Sequence, residues 1–291
     1  MIIRSLLYVP GSNRRFIEKA HTRGADAIIV DLEDAVAASM KTEARDALAQ
    51  SVPLAGKAGT PVFVRVNNTQ ERLLADAEAA CRAGSFGLYV PKVETGALLQ
   101  QLATHLEPIE RELGRKRTVF VPLIESPAGV FAAAEIGRGA RVFALSGGGE
   151  DLATSMGAKP LPQVLNLPKQ LIHLAAKAAG VLSFGLLRTV ADYADLDGMR
   201  DAANEARLFG FDGASCIHPS VVPILNAAFS PSPEEIDWAR KVIAADKIAA
   251  DVGQGAHTID GYFVDAPIVA RAQAILVLAD SIDKNSETAH G

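Results

Sequence analysis

The chain has 291 residues, of which 49% are hydrophobic and 22% charged, a composition typical of globular enzymes. Its net charge of −5 argues against nucleic acid and anionic membranes as its main partners. Cys81 and Cys216 are too few for a disulfide framework, so a reduced, cytoplasmic setting is expected. The apolar start is stopped by Pro10-Gly11 and predicts a first strand rather than a signal peptide, and no apolar run is long enough to span a membrane.

Short apolar runs alternate with Ala-rich segments of helical pattern along most of the chain. The runs are nearly continuous in apolar residues, as expected for strands that are covered on both faces. Strands are predicted at 4–9, 26–31, 61–66, 86–90, 118–124, 141–146, 181–185 and 211–216. Helices are predicted at 13–23, 40–50, 69–83, 94–113, 127–137, 166–179, 195–209 and 219–228. Alternation of this kind predicts an α/β fold, a (β/α)₈ TIM barrel, with a doubly wound open sheet as the alternative.

The pattern changes after the eighth predicted helix. A Pro/Ser break predicts a new helix from residue 233, and a Gly-rich loop with a short hairpin is expected over 253–267, before a last helix. We therefore divide the chain into a TIM-barrel catalytic domain, 1–228, and a C-terminal helical segment, 229–291. The segment is expected to act as a lid or an oligomerisation element.

Two acidic residues stand just past successive predicted strands. Glu125 ends the segment VFVPLIE, and Asp151 ends VFALSGGGED. The carboxyl ends of all strands of an α/β barrel lie at one face, and that face carries the chemistry. Each acid alone could merely serve a helix start, where a negative charge favours the helix dipole. Together they predict a Mg²⁺ site, with Mn²⁺ also possible, because two carboxylates with open coordination positions suit such ions and no cluster with zinc spacing competes.

Other residues after the predicted strands could hold an anion. Gly148 and Gly149 precede a helix start, where backbone N–H groups can approach an anion closely, although a tight strand-to-helix connection would use the same glycines. Arg14 and Lys19 surround an earlier helix start and could hold a phosphate or form a solvated basic face. His218, in the segment CIHPS, could be a base, but a histidine before proline is more often packed or hydrogen-bonded.

A charged cluster is expected around the second and third strands. Arg65 lies in the apolar strand VFVRVN, where an unpaired guanidinium is costly. Its planar fork suits a carboxylate or a developing enolate oxygen, and the alternative is a structural ion pair with Glu33 or Asp34. Asp31 is better explained by structural pairing. Lys92 could form a Schiff base, but an ion pair with an acid is the better interpretation.

Several motifs in order resemble one known family. They are RSLLYVPGSNRRFIEKA, DAIIVDLEDAV, VFVRVN, YVPKVE, PLIES, ALSGGGEDLA, GFDGASCIHP and DGYFVDAPIVARA. Together they resemble the citrate lyase β-subunit-like (CitE-like) branch of the HpcH/HpaI aldolase superfamily, from about residue 3 to 280. The HpaI-type branch carries a catalytic histidine after strand two, whereas this chain has VDLEDAV there, without one.

The resemblance implies a TIM barrel with a C-terminal helical segment and a set of functional residues. Glu125 and Asp151 would bind Mg²⁺, and Arg65 would hold the keto-acid or enolate oxygens. Asp265, in the VDAP motif, would be an acid/base supplied by a neighbouring subunit of a homo-oligomer, which we expect to be a trimer. The loop around Arg14 and Lys19, with the CIHP segment, would meet CoA.

The resemblance also implies the activity, which would be Mg²⁺-dependent cleavage of a 3-hydroxyacyl-CoA thioester of the citryl, citramalyl or malyl type. The products would be acetyl-CoA and a keto acid. Two alternatives stay open at this point: hydrolysis of a malyl-CoA-type thioester, and a citrate lyase subunit that works with an acyl-carrier partner. Neither nucleic acid nor a membrane is expected as a partner.

Overall fold

A computed structural model describes residues 1–251, 256–259 and 261–290. The chain divides into two compact units, one of residues 3–229 and one of residues 1–2 with 230–291. No helix among the described residues combines the length and the apolar character needed to cross a bilayer.

The larger unit contains a ring of parallel strands. They are β1 (Ser5–Pro10), β2 (Ala27–Asp31), β3 (Val62–Arg65), β4 (Gly87–Val90), β5 (Val119–Ile124), β6 (Ala144–Gly147), β7 (Leu182–Phe184) and β8 (Ala214–Cys216). Their spatial order is β7-β6-β5-β4-β3-β2-β1-β8. Phe184 of β7 also bridges to Gly213, just before β8, and so closes the ring. The predicted TIM barrel is therefore confirmed, and the open-sheet alternative is wrong because β1 and β7 both meet the β8 segment.

Helices surround the ring. They are α1 (Arg14–Lys19), α2 (Lys41–Asp46), α3 (Leu48–Ala55), α4 (Leu73–Arg82), α5 (Gly96–Glu112), α6 (Pro127–Gly137), α7 (Gly149–Ser155), α8 (Pro162–Ala179), α9 (Leu196–Phe209) and α10 (Val222–Ala228). The helix predicted over 40–50 is in fact two helices, α2 and α3. The short α7 is an additional helix between β6 and α8, and it begins at the glycine run as the sequence indicated.

Apolar side chains fill the inside of the ring and the layer between strands and helices. The interior includes Phe63, Tyr89 and Phe184, each at most 1% exposed. The rings of Phe63 and Tyr89 meet edge to face, with centroids 5.5 Å apart. Because this packed interior leaves no channel, the polar side chains at the carboxyl ends of the strands have to assemble above it.

The C-terminal unit has its own small core. Helix α11 (Pro233–Asp251) is followed by the antiparallel strands β9 (His257–Ile259) and β10 (Tyr262–Val264), and then by α12 (Ala266–His290). This order agrees with the predicted helix, hairpin and last helix, while residues 253–255 and 260 of the predicted Gly-rich loop and hairpin lie outside the described residues. Ala239, Val242, Val264, Ala272 and Ile275 form the core of the unit, and each is at most 9% exposed.

Candidate active site

The register of β2 and β3 places an acid directly opposite Arg65. Asp31 pairs with Arg65 in the sheet, and the guanidinium donates two hydrogen bonds to its carboxylate, from Nε at 2.7 Å and from Nη2 at 2.6 Å. Nη1 lies 2.9 Å from Glu33 and 3.2 Å from Asp34. The face of Tyr8 covers the guanidinium at 5.1 Å. Arg65 is thus held in a fixed orientation by charge-assisted bonds at the barrel mouth.

These contacts answer the question of pairing that the sequence left open. Structural pairing of Asp31 is confirmed, and the expected ion pairs of Arg65 with Glu33 and Asp34 are also present. Although desolvation opposes it, the hydrogen bonds to Asp31 hold the pKa of Arg65 well above its usual range. Arg65 therefore stays charged. Its Nη1 lies beside the carboxylates of Glu33 and Asp34 at the mouth of the barrel.

Lys92 forms an ion pair with a carboxylate. Its Nζ lies 3.0 Å from Oε1 of Glu33. Desolvation would lower the pKa of Lys92, but the hydrogen bond to Glu33 outweighs it and raises the pKa above its ordinary value. A Schiff-base lysine needs a depressed pKa, so the ion-pair interpretation fits this geometry better.

The backbone N–H of Lys92 binds a second acid. Lys92 has a φ of 55°, in the left-handed region that few non-glycine residues adopt. In this conformation its N–H donates to Oε2 of Glu125 at 2.9 Å. Strained backbone at such a position commonly marks a functional site, and here it fixes one oxygen of a buried carboxylate.

Glu125 is buried among other acids. Its exposed fraction is 5%, and burial, followed by the charges of Glu33 and Asp151, raises the pKa of Glu125 to about 7. A cation beside these carboxylates would offset both effects. Asp151 lies in the first turn of α7, on the adjacent strand connection. The residues therefore fit a Mg²⁺ ion, which takes one or two carboxylates and keeps several waters.

Glu125 and Asp151 do not belong to a larger cluster of metal-binding side chains among the described residues. Among the residues that the structure describes, no group of three or more His, Cys, Asp or Glu side chains is arranged to hold an ion. A site built on Glu125 and Asp151 would thus leave most coordination positions to water and substrate oxygens. That is the open arrangement a Lewis-acid metal requires.

The glycine run approaches Glu125 closely. A Cβ on Gly148 would lie 2.2 Å from Oε1 of Glu125, which is far inside van der Waals contact. Gly148 and Gly149 both line the cavity that contains the two acids. We call this cavity of about 410 Å³ the acid cavity; its walls include Tyr8, Arg65, Glu125, Gly148, Asp151 and Lys169. The close-packing role of the glycines is therefore clear in the structure.

A second cavity adjoins the acid cavity. It has a volume of about 380 Å³, and its lining includes Phe16, Arg23 and His218. Tyr8, Pro10 and Ile217 line both cavities. We call it the His218 cavity. It is large enough and apolar enough to accept an extended group that continues from the acid cavity.

His218 is fixed by its own loop. Its Nδ1 accepts a hydrogen bond from the N–H of Ser220 at 3.2 Å and lies 2.7 Å from the Ser220 hydroxyl. The imidazole stacks on Tyr193, with ring centroids 5.1 Å apart. With Nδ1 as an acceptor, the neutral ring carries its proton on Nε2.

The two cations of the first loop, Arg14 and Lys19, do not line the His218 cavity. Arg14 pairs with Glu18 at 2.9 Å and lines a third cavity, of about 200 Å³, with Ser12 and Glu43. Lys19, the last residue of α1, is exposed and lines none of these three cavities. A role for Arg14 and Lys19 in binding a ligand stays a prediction.

Asp265 belongs to the C-terminal unit. It directly precedes α12, where its Oδ1 accepts from the N–H of Ile268 at 3.4 Å. The residue is half-buried. Its implied role as an acid/base on a neighbouring subunit stays a prediction.

Sequence reasoning did not single out Tyr8 or Lys169. Nothing in the strand pattern marks Tyr8 as functional, since an aromatic residue in a strand usually packs in the core. Lys169 had a usable signal: it falls on the same face of α8 as the buried Leu165, Ile172 and Ala176. A lysine on the apolar face of a helix is unusual enough to mark for attention.

Comparison with known proteins identifies the family. Residues 4–219 match the sequence profile of the HpcH/HpaI aldolase/citrate lyase family. The chain belongs to this family. Its resemblance to the CitE-like branch is confirmed by the relatives and by the solved structures that it matches.

Three similar proteins cover nearly the same length. A (3S)-malyl-CoA thioesterase of Cereibacter sphaeroides is 36% identical over 96% of this chain and 95% of the relative. The mitochondrial citramalyl-CoA lyase of Rattus norvegicus is 33% identical over 96% and 86%. A crystal structure of CitE from Mycobacterium tuberculosis, in complex with magnesium, acetoacetate and coenzyme A, is 30% identical, with a TM-score of 0.78 over 96% of this chain and 98% of that one.

Proposed function

We propose that this chain is a Mg²⁺-dependent carbon–carbon lyase that cleaves a 3-hydroxyacyl-CoA thioester to acetyl-CoA and a keto acid. The observation that carries the proposal is Glu125, a buried carboxylate with a raised pKa, in one cavity with Asp151 and the fixed guanidinium of Arg65. Membership of a family whose similar proteins include a citramalyl-CoA lyase and a CoA-bound CitE supports the same chemistry.

Each residue has a defined part in this reaction. Glu125 and Asp151 would hold the metal, which when bound acts as a Lewis acid on the substrate oxygens. Arg65 would donate hydrogen bonds to the oxygen on which negative charge develops as the keto group forms. Its bonds to Asp31 and Glu33 keep it in place, so little reorganisation is needed during the reaction.

The reaction needs a group that removes the proton of the substrate hydroxyl and later gives a proton to the enolate carbon. We assign this task to Asp265 of a neighbouring subunit, as the resemblance implies. Its carboxylate takes the proton of the substrate hydroxyl, the carbon–carbon bond breaks, and the electron pair passes to the thioester fragment as an enolate. The same carboxylic acid then gives the proton to the enolate carbon and yields acetyl-CoA.

The His218 cavity is the proposed path for the thioester arm. It adjoins the acid cavity through shared residues, and the Nε2–H of His218 is a donor for an amide or phosphate oxygen. Arg14 and Lys19 would meet the charged end of CoA. We further propose a homotrimer in the reduced cytoplasm, in keeping with the free, buried thiols of Cys81 and Cys216.

Two other activities remain candidates on specific grounds. Similarity to a malyl-CoA thioesterase supports hydrolysis at the same site, which would use the metal but release free thiol. Membership of a family that includes citrate lyases supports a subunit that works only on a thioester of an acyl-carrier protein.

A substrate panel distinguishes these activities. Purified chain with Mg²⁺ is incubated with citryl-, malyl-, citramalyl- and methylmalyl-CoA, and keto acid and free thiol are both measured. A lyase releases keto acid without free thiol, and EDTA abolishes that release until Mg²⁺ is restored. Free thiol would indicate the hydrolase. Turnover of a citryl thioester of an acyl-carrier protein, assayed beside the panel, without turnover of any CoA thioester would indicate the subunit. Full lyase activity in EDTA would contradict the metal mechanism.

A further inference from the structure

A buried lysine lies beneath the glycine run without a carboxylate partner. Lys169 of α8 is 4% exposed, and its Nζ donates to the carbonyl oxygens of Leu186 and Arg188, both at 2.8 Å. In the described part of the chain no acid forms an ion pair with it. Burial lowers the pKa of Lys169 to about 8, against the opposing charge of Glu150.

The side chain of Lys169 runs along the glycines that lead to Asp151. A Cβ on Gly149 would lie 3.2 Å from Nζ and 3.5 Å from Cε, and a Cβ on Gly147 would lie 3.5 Å from Cγ. The lysine therefore packs against the turn from residue 147 to 151, which we call the glycine turn. A Cβ on Gly149 would be tighter than ordinary van der Waals contact with Nζ, so a side chain at this position would press on the lysine.

The acceptors of Lys169 belong to a different part of the barrel mouth. Leu186 and Arg188 follow β7, in a stretch over 185–189 that we call the β7 loop. One side chain thus contacts the glycine turn and is bonded to the β7 loop. A second link joins the same two segments, since the hydroxyl of Thr189, itself 4% exposed, donates to the carboxylate of Glu150.

A buried ammonium group is costly, whereas methionine would fill the same space without that cost. What lysine adds is a pair of directional hydrogen bonds to two carbonyl oxygens that would otherwise lack them. We propose that Lys169 is a positioning residue that fixes the glycine turn against the β7 loop and thereby sets the place of the Asp151 carboxylate. This inference rests on the proposed metal site.

Lys169 would affect the ion indirectly, without touching it. Lys169 acts through the backbone of the turn, and Asp151 makes the contact with the ion. Partners of this kind typically contribute 10–100-fold to metal affinity. Loss of the two bonds should therefore weaken the ion's binding while the barrel, whose strands Lys169 does not join, remains folded.

The test compares two lysines of the same helix. Lys177 also lies on α8 but is 40% exposed and pairs with Asp212 at 2.7 Å, away from the acid cavity. Mg²⁺ binding is measured by calorimetry for the intact wild-type chain, Lys169→Met and Lys177→Met. Amide hydrogen exchange is followed in residues 147–151 and 185–189. Lys169→Gln, polar and only slightly shorter, replaces the Met variant if that variant does not fold.

We expect Lys169→Met to bind Mg²⁺ at least about tenfold more weakly, with faster exchange in both segments, and Lys177→Met to match the wild type. A purely structural lysine would lower the melting temperature without changing the affinity. A folded Lys169 variant with wild-type affinity overturns the positioning role alone. If the wild-type chain itself binds no Mg²⁺, the metal site of the proposed function is overturned, and the role of Lys169 with it.

Discussion

Glu125 is destabilising in its ionised form until a cation reaches it. Its carboxylate is buried and faces the charges of Glu33 and Asp151, so the folded chain holds a proton on it more tightly than the unfolded chain does. Between pH 4.5 and about 7 the folded state binds more protons, and stability therefore falls as the pH rises through this window. Above pH 7 the full cost is present in the metal-free protein.

Replacing this acid should stabilise the metal-free chain. At pH 8 in EDTA we expect Glu125→Gln to raise the free energy of unfolding by about 3 kcal/mol, since the pKa of Glu125 is raised from 4.5 to about 7 and each pKa unit corresponds to about 1.4 kcal/mol. Urea unfolding measures the change. Glu107→Gln, in an exposed pair with Arg111, is the control and should change stability by less than about 0.5 kcal/mol.

In Mg²⁺ the wild type should become more stable than Glu125→Gln, because an ion that binds only the folded wild type stabilises it by mass action. A Gln variant that is less stable than the wild type in EDTA at pH 8 would contradict this account of Glu125. So would a variant that gains as much stability from Mg²⁺ as the wild type does.

The sequence was informative about single residues where their position alone carried the signal. Glu125, Asp151 and Arg65 were expected near one another because the ends of parallel strands share one face of a barrel, and all three line the acid cavity. The bidentate bond from Arg65 to Asp31 depends on strand register, which an apolar run does not specify when both faces of a strand are buried. Lys169 acts on the β7 loop through backbone carbonyls, and such contacts leave no trace in residue type.

The glycine turn is the element on which the site depends most closely. The φ of Gly148 is −81°, which any residue can adopt, so its backbone conformation does not require glycine. The requirement comes from Glu125, whose Oε1 would lie 2.2 Å from a Cβ at this position. The carboxylate cannot easily retreat, because the N–H of Lys92 holds its other oxygen.

Adding one methyl group to the turn should therefore displace Glu125. We expect Gly148→Ala to lower stability by about 1–3 kcal/mol, as overpacking does, and to weaken Mg²⁺ binding. Gly96→Ala is the control, since a Cβ there would lie 3.2 Å from the side-chain Oε1 of Glu135 and 4.0 Å from its backbone oxygen, and both contacts are much wider than the one at Gly148. Thermal melts and calorimetry measure both effects.

A double variant tests the cause. Gly148→Ala combined with Glu125→Ala should regain stability relative to the sum of the two single changes, because the clash disappears with the carboxylate. Additive effects of the two changes on stability would show that the turn, rather than Glu125, rejects the methyl group.

Elements were easier to predict in kind than in extent. Each apolar run became a strand because burial on both faces leaves a continuous signal. The helix expected over 40–50 is divided at Ala47 into α2 and α3, and no residue type in this Ala-rich stretch marks the division. The short α7 has too few turns to show a helical period.

At the scale of the assembled molecule, the origin of the acid/base is open to a direct test. Asp265→Asn should be inactive yet bind Mg²⁺ and keto acid. Arg65→Lys should lose about 2–4 kcal/mol of transition-state stabilisation, as when one preorganised donor is removed. If Asp265 serves a neighbour's barrel, subunits of both kinds, dissociated and reassociated together, should regain activity.

Random mixing in a closed ring gives roughly a quarter of the sites an intact barrel and an intact neighbouring Asp265. Exchange of subunits is verified by mass spectrometry of differently tagged chains. If Asp265 serves its own barrel, every mixed site keeps one defect, and absence of recovery despite exchange would rule out a base acting between subunits.

The pairing of β1 with β8 has a consequence for synthesis of the chain on the ribosome. Ser5 of β1 pairs with Ala214 of β8, so the first strand made waits for the last strand of the barrel. Until then one edge of β1 has no partner, although its other edge can already pair with β2. Unpaired strand edges invite association with other chains. Between translation of Ser5 and Ala214 the nascent chain therefore carries a strand edge that other chains could pair with.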